Sequence, residues 1–139
     1  YMQIRITDDV LENPDIVTYG YPNMTNTSRD SSYLKNCNIS AAFMSYGMYI
    51  QTETGTTVDA SELGVKDIKV QIKNGIFWNT IATSGGGSVT NDHTFCGSCD
   101  CTNAVSGETY RIKCTHYAYI GGNYYHYDNT TDGFKYVKP

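Results

Sequence analysis

The sequence has little charge, no basic cluster and no long apolar run. Charged residues make up only 17% of the 139 positions. They form no run as long as a helix, so the sequence does not indicate a solvent-exposed charged helix. No apolar stretch approaches the roughly 20 residues of a membrane-spanning helix, so we expect no membrane span. The ten Lys and Arg residues are scattered singly, and the formal net charge is −4. Because nucleic-acid-binding proteins concentrate basic residues on one surface, we expect no nucleic-acid partner.

The sequence also lacks the local motifs of enzymes and cofactor-binding proteins. Its three histidines, His93, His116 and His126, do not lie in the context of a known nucleophile. The glycine run at 85–87 has neither the lysine nor the following helix of a phosphate-binding loop. The aspartates do not have the spacing of a calcium loop. We therefore expect a protein that is not an enzyme, with no catalytic residue and no cofactor.

A period of two marks the late part of the chain as a strand. Between positions 107 and 120, one face carries Tyr110, Ile112, Cys114, His116, Ala118 and Ile120. The alternate positions carry mostly polar side chains, which is the pattern of a strand with one buried face. After a break at 121–123, a second β-prone run at 124–127 follows at hairpin distance.

An earlier segment repeats this pattern more clearly. Ile68, Val70 and Ile72 alternate with Lys and Gln side chains, which predicts an amphipathic strand. Asn74-Gly75 follows, and this dipeptide favours a hairpin because both positions tolerate positive φ. The residues 76–81 are then expected to form the return strand.

Short strands separated by turn signals predict the fold class. We expect a turn at Gly55 and a short turn or a single helical turn at 59–64, and we count seven or eight strands from Ile39 onwards. This spacing predicts an all-β fold, an antiparallel β-sandwich of the immunoglobulin or fibronectin type. Tyr110, which follows a glycine-containing bend, resembles the tyrosine corner of such sandwiches, although it is also one of thirteen tyrosines. Trp78, the only tryptophan, is expected to anchor the core.

The chain divides into an N-terminal extension, 1–32, and a sandwich domain, 33–139. Met2, Ile4 and Ile6 alternate with other residues and predict a short strand. The end of the extension is polar and turn-rich, which favours a linker. Such a strand either folds back as an edge strand of its own sheet or adds to the sheet of a neighbouring molecule.

Five cysteines predict disulfide stapling in an oxidising compartment. Three of them lie within six residues, at Cys96, Cys99 and Cys101, and the others are Cys37 and Cys114. Zinc binding is the weaker alternative, and a redox motif would need a following helix. Two disulfides would use four of the five cysteines and leave one thiol unpaired. The sequence leaves the pairing open between Cys37–Cys114 and Cys101–Cys114.

Tyrosines are concentrated near the C-terminus. The group consists of Tyr117, Tyr119, Tyr124, Tyr125 and Tyr127. Such a group favours a platform on which sugars stack, or a patch for protein contact. The alternative is ordinary cross-strand pairing, in which tyrosine is favoured without any ligand.

Several of these features together resemble a family of small secreted proteins of unknown function from Gram-positive, mostly anaerobic bacteria. The resemblance covers about residues 33–137. It rests on Tyr33-Leu34, Ile39, the break at Gly47, the segment 68–72 with Asn74-Gly75 and Trp78, Gly107 with Tyr110-Arg111-Ile112, His116, Ala118 and Thr130-Thr131. The resemblance implies a bacterial extracellular setting and assigns no catalytic residues. The cysteines are not part of the family's pattern.

Two functions are expected from these features. The first is a non-enzymatic structural protein at the cell surface or in an appendage, which self-associates into a homopolymer when Met2, Ile4 and Ile6 add to the sheet of the next subunit. The second is a secreted carbohydrate- or protein-binding module that uses the tyrosine-rich hairpin. Both place the protein outside the cell, as do the five cysteines. The first residue, Tyr1 instead of Met, predicts that a preceding segment was removed, either a signal peptide or part of an expressed sequence.

Overall fold

The computed structural model describes residues 4–6, 16–21 and 33–139, with side chains from residue 33 onwards. Within these ranges the chain forms nine strands and no helix. The strands are β1 (Ile4–Ile6), β2 (Ile16–Tyr21), β3 (Leu34–Met44), β4 (Gly47–Asn74), β5 (Phe77–Ser84), β6 (Gly87–Cys101), β7 (Thr109–Ile120), β8 (Asn123–Thr130) and β9 (Phe134–Lys135).

All pairings between these strands are antiparallel, so the predicted all-β antiparallel class is confirmed. The described strands belong to one sheet, whereas the predicted sandwich has two separate sheets. One half of this sheet has the order β1-β6-β4-β3-β2, and β5, β7, β8 and β9 extend it from β4 and β7. The sheet curls into a half-barrel, so that its two halves face each other.

The strand β4 joins the two halves because it pairs with four other strands along its 28 residues. It pairs with β3 at 47–56, with β6 at 48–65, with β7 at 62–72 and with β5 at 68–74. Register irregularities interrupt these ladders at 55–60, 66–69 and 70–71. Because an irregularity bends a strand and increases its twist, these positions let a single strand follow the curl.

The inner faces of the two halves meet in one core. Its fully buried apolar side chains include Leu34, Ile39, Ile50, Val70, Phe95, Ile112 and Ala118. At one end the Tyr136 hydroxyl donates a hydrogen bond to the carbonyl of Met44, and the Phe43 ring packs edge-on against Tyr136 at 5.4 Å. These contacts attach the C-terminal segment to β3 and close that end of the half-barrel.

Most local predictions for the late strands are confirmed. The inward faces of 68–72 and 110–120 are those expected from the period of two. The Asn74-Gly75 hairpin is present, with Gly75 at φ 65°. The hydrogen bond of a tyrosine corner is also present, since the backbone N–H of Val105 donates to the Tyr110 hydroxyl at 2.7 Å.

Two local predictions are wrong. Gly55 and the segment 59–64 do not form turns, because β4 continues through them with partners on both sides. Trp78 does not anchor the core. It lies opposite Lys73 on the outer face, half-buried, and the Arg111 guanidinium covers its ring at 4.5 Å.

Candidate functional site

Four aromatic rings form a cluster on the outer face of β7 and β8. We call the residues Tyr117, Tyr119, Tyr124 and His126 the tyrosine face. The ring centroids of Tyr119 and Tyr124 lie 5.1 Å apart, and those of Tyr124 and His126 lie 5.4 Å apart. Tyr117 stands 6.1 Å from Tyr119 and 6.2 Å from Tyr124. These separations are within the range of favourable aromatic pairs.

Strand register explains why these four side chains meet. Tyr119 lies directly opposite Tyr124, and Tyr117 lies directly opposite His126. Opposite residues on one face of an antiparallel pair are the closest side-chain neighbours in a sheet. The core lies behind the other face, so the rings face outwards, and 39% of Tyr119 is exposed.

Tyr117 is the anchored member of the tyrosine face, because it is only 9% exposed and its hydroxyl is hydrogen-bonded. It lies opposite Gly64, where a Cβ would collide with the carbonyl of Gly87 and lie 2.8 Å from the Cα of Ser88. The Tyr117 hydroxyl donates a hydrogen bond of 2.6 Å to Glu62 Oε2. Burial, and then the Glu62 carboxylate, raises the pKa of Tyr117 to about 12. Tyr117 is therefore a hydrogen-bond donor at any physiological pH.

A lysine from β4 lies over the same cluster. The Lys66 Nζ atom is 4.8 Å from the ring centroid of Tyr124 and 5.5 Å from that of Tyr117. A hydrogen bond with Tyr124 raises the pKa of Lys66. Lys66 therefore remains an ammonium group that makes cation–π contacts with two rings.

The five predicted platform tyrosines do not share one face. Tyr125 is buried and packs against Tyr33 at 4.9 Å, and Tyr127 stacks on His116 at 6.4 Å. The reason is the two-residue period of β8, which directs Tyr124 outwards and Tyr125 inwards. The same period could have identified His126 as an outer residue.

A thiol, an imidazole and an amide lie together inside the half-barrel. The His116 Nε2 atom is 3.4 Å from Cys114 Sγ and 3.1 Å from Asn129 Nδ2, and Asn129 Nδ2 also donates to the carbonyl of Cys37 at 3.2 Å. Because a carbonyl only accepts, the amide nitrogen must be the atom that faces Cys37 and His116. Nε2 therefore accepts. On the other side of the ring, Nδ1 donates to Thr54 Oγ1 at 2.8 Å, and Thr54 donates to the carbonyl of Gly64 at 3.0 Å.

Burial keeps this cluster neutral. It lowers the pKa of His116 to about 3 and raises the pKa of the Cys114 thiol well above its usual value. Burial, and then the charge of Glu53, raises the pKa of Cys37 to about 12. A nucleophilic cysteine needs a lowered pKa and an open approach. The arrangement is therefore that of a hydrogen-bonded core group, and it does not support covalent catalysis.

No two of the five cysteines lie at disulfide distance, so the predicted disulfides are not confirmed. Cys37 lies on β3, Cys114 on β7, and Cys96, Cys99 and Cys101 on β6. The Cys101 thiol donates to Asn103 Oδ1 at 3.3 Å. In the described part of the chain, no group of three or more His, Cys, Asp or Glu residues has the arrangement of a metal site.

A cleft of about 300 Å³ opens beside Cys114, next to the tyrosine face. It lies where the β4–β7 ladder is interrupted, between the pairs Lys66–Thr115 and Lys69–Lys113. Every side chain that lines it can form hydrogen bonds. The lining residues are Asp67, Lys69, Lys113, Cys114, Thr115, Asp128, Asn129 and Thr130. Sequence reasoning missed this cleft, since only the fold brings β4, β7 and β8 together there.

The predicted assembly strand corresponds in part to β1. Ile4 and Ile6 belong to β1, which pairs with β6 of the same chain in the register Ile4–Cys99, Arg5–Ser98 and Ile6–Gly97. Met2 and the polar segment 22–32 lie outside the described residues. The strand that the sequence predicts is thus an edge strand of its own sheet.

None of the described residues belongs to a helix long and apolar enough to cross a membrane. Comparisons with protein-family models, with curated proteins and with solved structures find no match to this chain. The tyrosine face, the cleft and the N-terminal strands are the features of this chain that can carry a function.

Proposed function

We propose that this protein is a non-enzymatic extracellular binding module that contacts glycans through its tyrosine face. The observation that carries the proposal is the outward-facing ring cluster, in which Tyr119 and Tyr124 pack 5.1 Å apart with Lys66 beside them. Aromatic side chains have an apolar face and a polar edge, so they can stack on the C–H face of a sugar ring while their hydroxyls bind its oxygens.

The immediate surroundings of the rings add support. Neighbouring rings, Lys66 and the Glu62 hydrogen bond restrain these side chains before any ligand arrives. Tyrosine held in this way offers a large contact area at a small loss of conformational entropy. Cross-strand pairing alone would account for Tyr119 and Tyr124, but it does not require the charged and hydrogen-bonding groups of Lys66 and Glu62 beside them.

The test is a glycan array followed by calorimetry with the glycans that bind. We expect Tyr119→Ala and Tyr124→Ala each to weaken binding about tenfold or more, since loss of a stacking ring removes a contact of this size. Tyr46→Ala is the matched control, because Tyr46 is similarly exposed, at 43%, but lies in the turn between β3 and β4. Equal affinity of all three variants and the wild-type protein would refute the proposal.

A second function, assembly by strand exchange, is favoured by the position of the N-terminal strands. In the order β1-β6-β4-β3-β2, the two outermost strands both come from residues 4–21. The β1 ladder has only three residue pairs, so releasing it costs little. We propose that 4–6 can pair with 97–99 of the next copy, and that such head-to-tail contacts build an open filament.

The register gives a direct test of strand exchange. Ile4 lies opposite Cys99, so a disulfide between Cys99 and the thiol of an Ile4→Cys variant is expected under mild oxidation. Exchange predicts a ladder of covalent oligomers on a non-reducing gel. Arg5→Cys is the control, since its partner is Ser98. A cross-linked monomer with no larger species would exclude exchange.

The extracellular setting and the disulfides form part of the same proposal. They are supported by the number of cysteines, and the resemblance of residues 33–137 to a secreted bacterial family, expected from the sequence, would imply the same setting. Cys37 lies on β3 and Cys114 on β7, and Asn129, which lies directly opposite Cys114 on β8, donates to the carbonyl of Cys37. We propose that Cys37 and Cys114 are the pair linked in the oxidised protein, where the two halves of the sheet would stand as the two sheets of a sandwich do.

A further inference from the structure

The cleft beside Cys114 has properties that the packing of the sheet does not require. Between Lys66 and Lys69, β4 has residues without a partner on β7, and one of them, Asp67, has a φ of 54°. A non-glycine residue with positive φ is held there at a cost in free energy. Irregularities of this kind are often found beside binding sites, where they redirect side chains.

The charges that line the cleft are unusual for a sheet. Lys69 lies directly opposite Lys113, although like charges in opposite positions destabilise a strand pair. Within the described ranges, neither ammonium group takes part in an ion pair. An anionic group placed between the two would convert their repulsion into attraction.

The cleft also has hydrogen-bonding groups suited to hydroxyls. Asn129 borders it, but its amide points to the inner face of the sheet, towards His116, and is not available to a ligand. The Asp128 carboxylate accepts a hydrogen bond from Thr115 at 2.9 Å and keeps further acceptor capacity. Thr130 adds a hydroxyl that can donate or accept.

We infer that this cleft binds a single acidic sugar unit, whose carboxylate lies between Lys69 and Lys113 and whose hydroxyls bind Asp67, Asp128 and Thr130. The volume of about 300 Å³ is at the small end of ligand sites, which suits one sugar ring. This inference rests on the proposed function, because it names the class of glycan that the tyrosine face would bind.

The same lining disfavours other ligands. Two ammonium groups oppose a divalent cation. The two carboxylates, Asp67 and Asp128, oppose a polyanion with a charge on every unit, such as a nucleic acid. A ligand with one carboxylate and several hydroxyls satisfies both sets of groups.

The position of the cleft connects it to the tyrosine face. Thr115 lies two residues before Tyr117 on β7, and Asp128 lies two residues after His126 on β8. Two residues of a strand span about 7 Å. An oligosaccharide that lies along β7 would therefore place one ring on the tyrosines and a neighbouring acidic ring in the cleft.

The experiment is a titration of isotope-labelled protein, followed by NMR, with galacturonate, galactose and acetate as separate probes. We expect galacturonate to shift the amide signals of 113–115 and 128–130 and to bind at least about tenfold more tightly than galactose or acetate, because only galacturonate has both the charge and the hydroxyls. Galactose or acetate binding as tightly as galacturonate would overturn the inference.

Substitutions of the lining residues test whether galacturonate binds in the cleft. The double variant Lys69→Gln and Lys113→Gln should weaken galacturonate binding about tenfold or more. Lys73→Gln is the control, because Lys73 is exposed on the same strand but does not line the cleft. If the double variant does not fold, Asp128→Asn replaces it and should weaken galacturonate and galactose binding alike. Unchanged affinity in these variants contradicts the inference.

Longer probes separate this inference from the proposed function. A galactose oligosaccharide that carries a single galacturonate unit should shift signals of both the cleft and the tyrosine face. If neutral oligosaccharides bind Tyr119 and Tyr124 while galacturonate does not perturb the cleft, the glycan-binding function stands and the acidic-sugar inference fails. If galacturonate binds the cleft and no oligosaccharide contacts the tyrosines, the cleft is a sugar-binding site, and the proposed binding of glycans by the tyrosine face is wrong. Tighter binding of a short DNA oligonucleotide to the same cleft would also overturn the inference.

Discussion

The Thr54 hydroxyl lies 2.8 Å from the Nδ1 atom of His116, although the two residues are 62 positions apart in the chain. Thr54 lies where β4 pairs with β6, and His116 lies on β7, so this contact ties the first half of the sheet to the second half. It also determines the protonation of the ring. Because Thr54 donates its own proton to the carbonyl of Gly64, it can only accept from Nδ1, and His116 is the neutral Nδ1–H tautomer.

The first prediction concerns the pH dependence of stability. The pKa of His116 is lowered from 6.5 to about 3 in the folded protein. Between these two values the unfolded chain binds a proton that the folded chain does not, so stability falls as the pH falls from 6.5 towards 3. The expected slope from this residue approaches ~1.4 kcal/mol per pH unit. Urea unfolding at several pH values measures it.

His116→Gln should remove this slope, whatever it does to stability at neutral pH. His126→Gln provides the control, since His126 is exposed. A pH profile of His116→Gln that runs parallel to that of the wild-type protein would show that His116 is not buried in its neutral form.

The second prediction concerns the close approach of strands behind Tyr117. A methyl group at position 64 would collide with the carbonyl of Gly87, and backbone can relieve such a collision only by moving strands apart. Gly64→Ala should therefore lower the free energy of unfolding by about 1–3 kcal/mol. Chemical denaturation measures the change.

Gly85→Ala is the matched control, because a Cβ there meets nothing within 4 Å and the backbone φ is not positive. We expect it to change stability by less than about 0.5 kcal/mol. Equal effects of the two substitutions would mean that β4 and β6 are farther apart at Gly64 than described.

The third prediction concerns the hydrogen bond at Tyr110. Its hydroxyl accepts from the N–H of Val105 at 2.7 Å, and the side chain is fully buried. Tyr110→Phe should lower the free energy of unfolding by about 1 kcal/mol, the usual net contribution of one hydrogen bond. Tyr46→Phe, at an exposed position, should lower the free energy of unfolding by less. A larger loss from Tyr46→Phe than from Tyr110→Phe would contradict the assignment of Tyr110 as the structural tyrosine.

The fourth prediction concerns thiol reactivity. Four of the five cysteines are buried, and burial raises the pKa of Cys37, Cys101 and Cys114, so their reactive thiolate forms are scarce. Iodoacetamide at pH 8 should label Cys96 first in the folded, reduced protein. Intact-mass analysis after unfolding should then count five thiols. In protein oxidised before unfolding, each disulfide lowers that count by two, and labelling of Cys114 before Cys96 would be inconsistent with the burial described.

The sequence predicted those parts of the fold that depend on local pattern. The faces of 110–120 follow from a period of two, and the hairpin at Asn74-Gly75 follows from the φ preferences of its residues. The continuity of β4 through Gly55 and Gly64 was not predictable in this way. Those glycines resemble turn residues in isolation, and they remain in a strand because neighbouring strands approach them closely on both sides.

The candidate site was also predictable only where it depends on local pattern. The tyrosines were recognisable by composition, but their sorting into outer Tyr124 and inner Tyr125 depends on where β8 starts its alternation. Lys66 and Glu62 lie about 50 residues from the tyrosines in sequence, and only the β4–β7 register brings them to the face. The cleft depends on an interruption of that register, and no residue pattern in β4 or β7 predicts this interruption.

The long strand β4 has a mechanical consequence. Since it serves both halves of the sheet, there is no loop between them that could act as a hinge. We therefore expect no domain closure around a ligand in the described part of the chain. Lys66 and Lys69 lie on β4, and Tyr117 lies on β7, which pairs with it. A ligand would therefore meet a surface of fixed spacing, and selectivity between ligands would come from their length and charge positions.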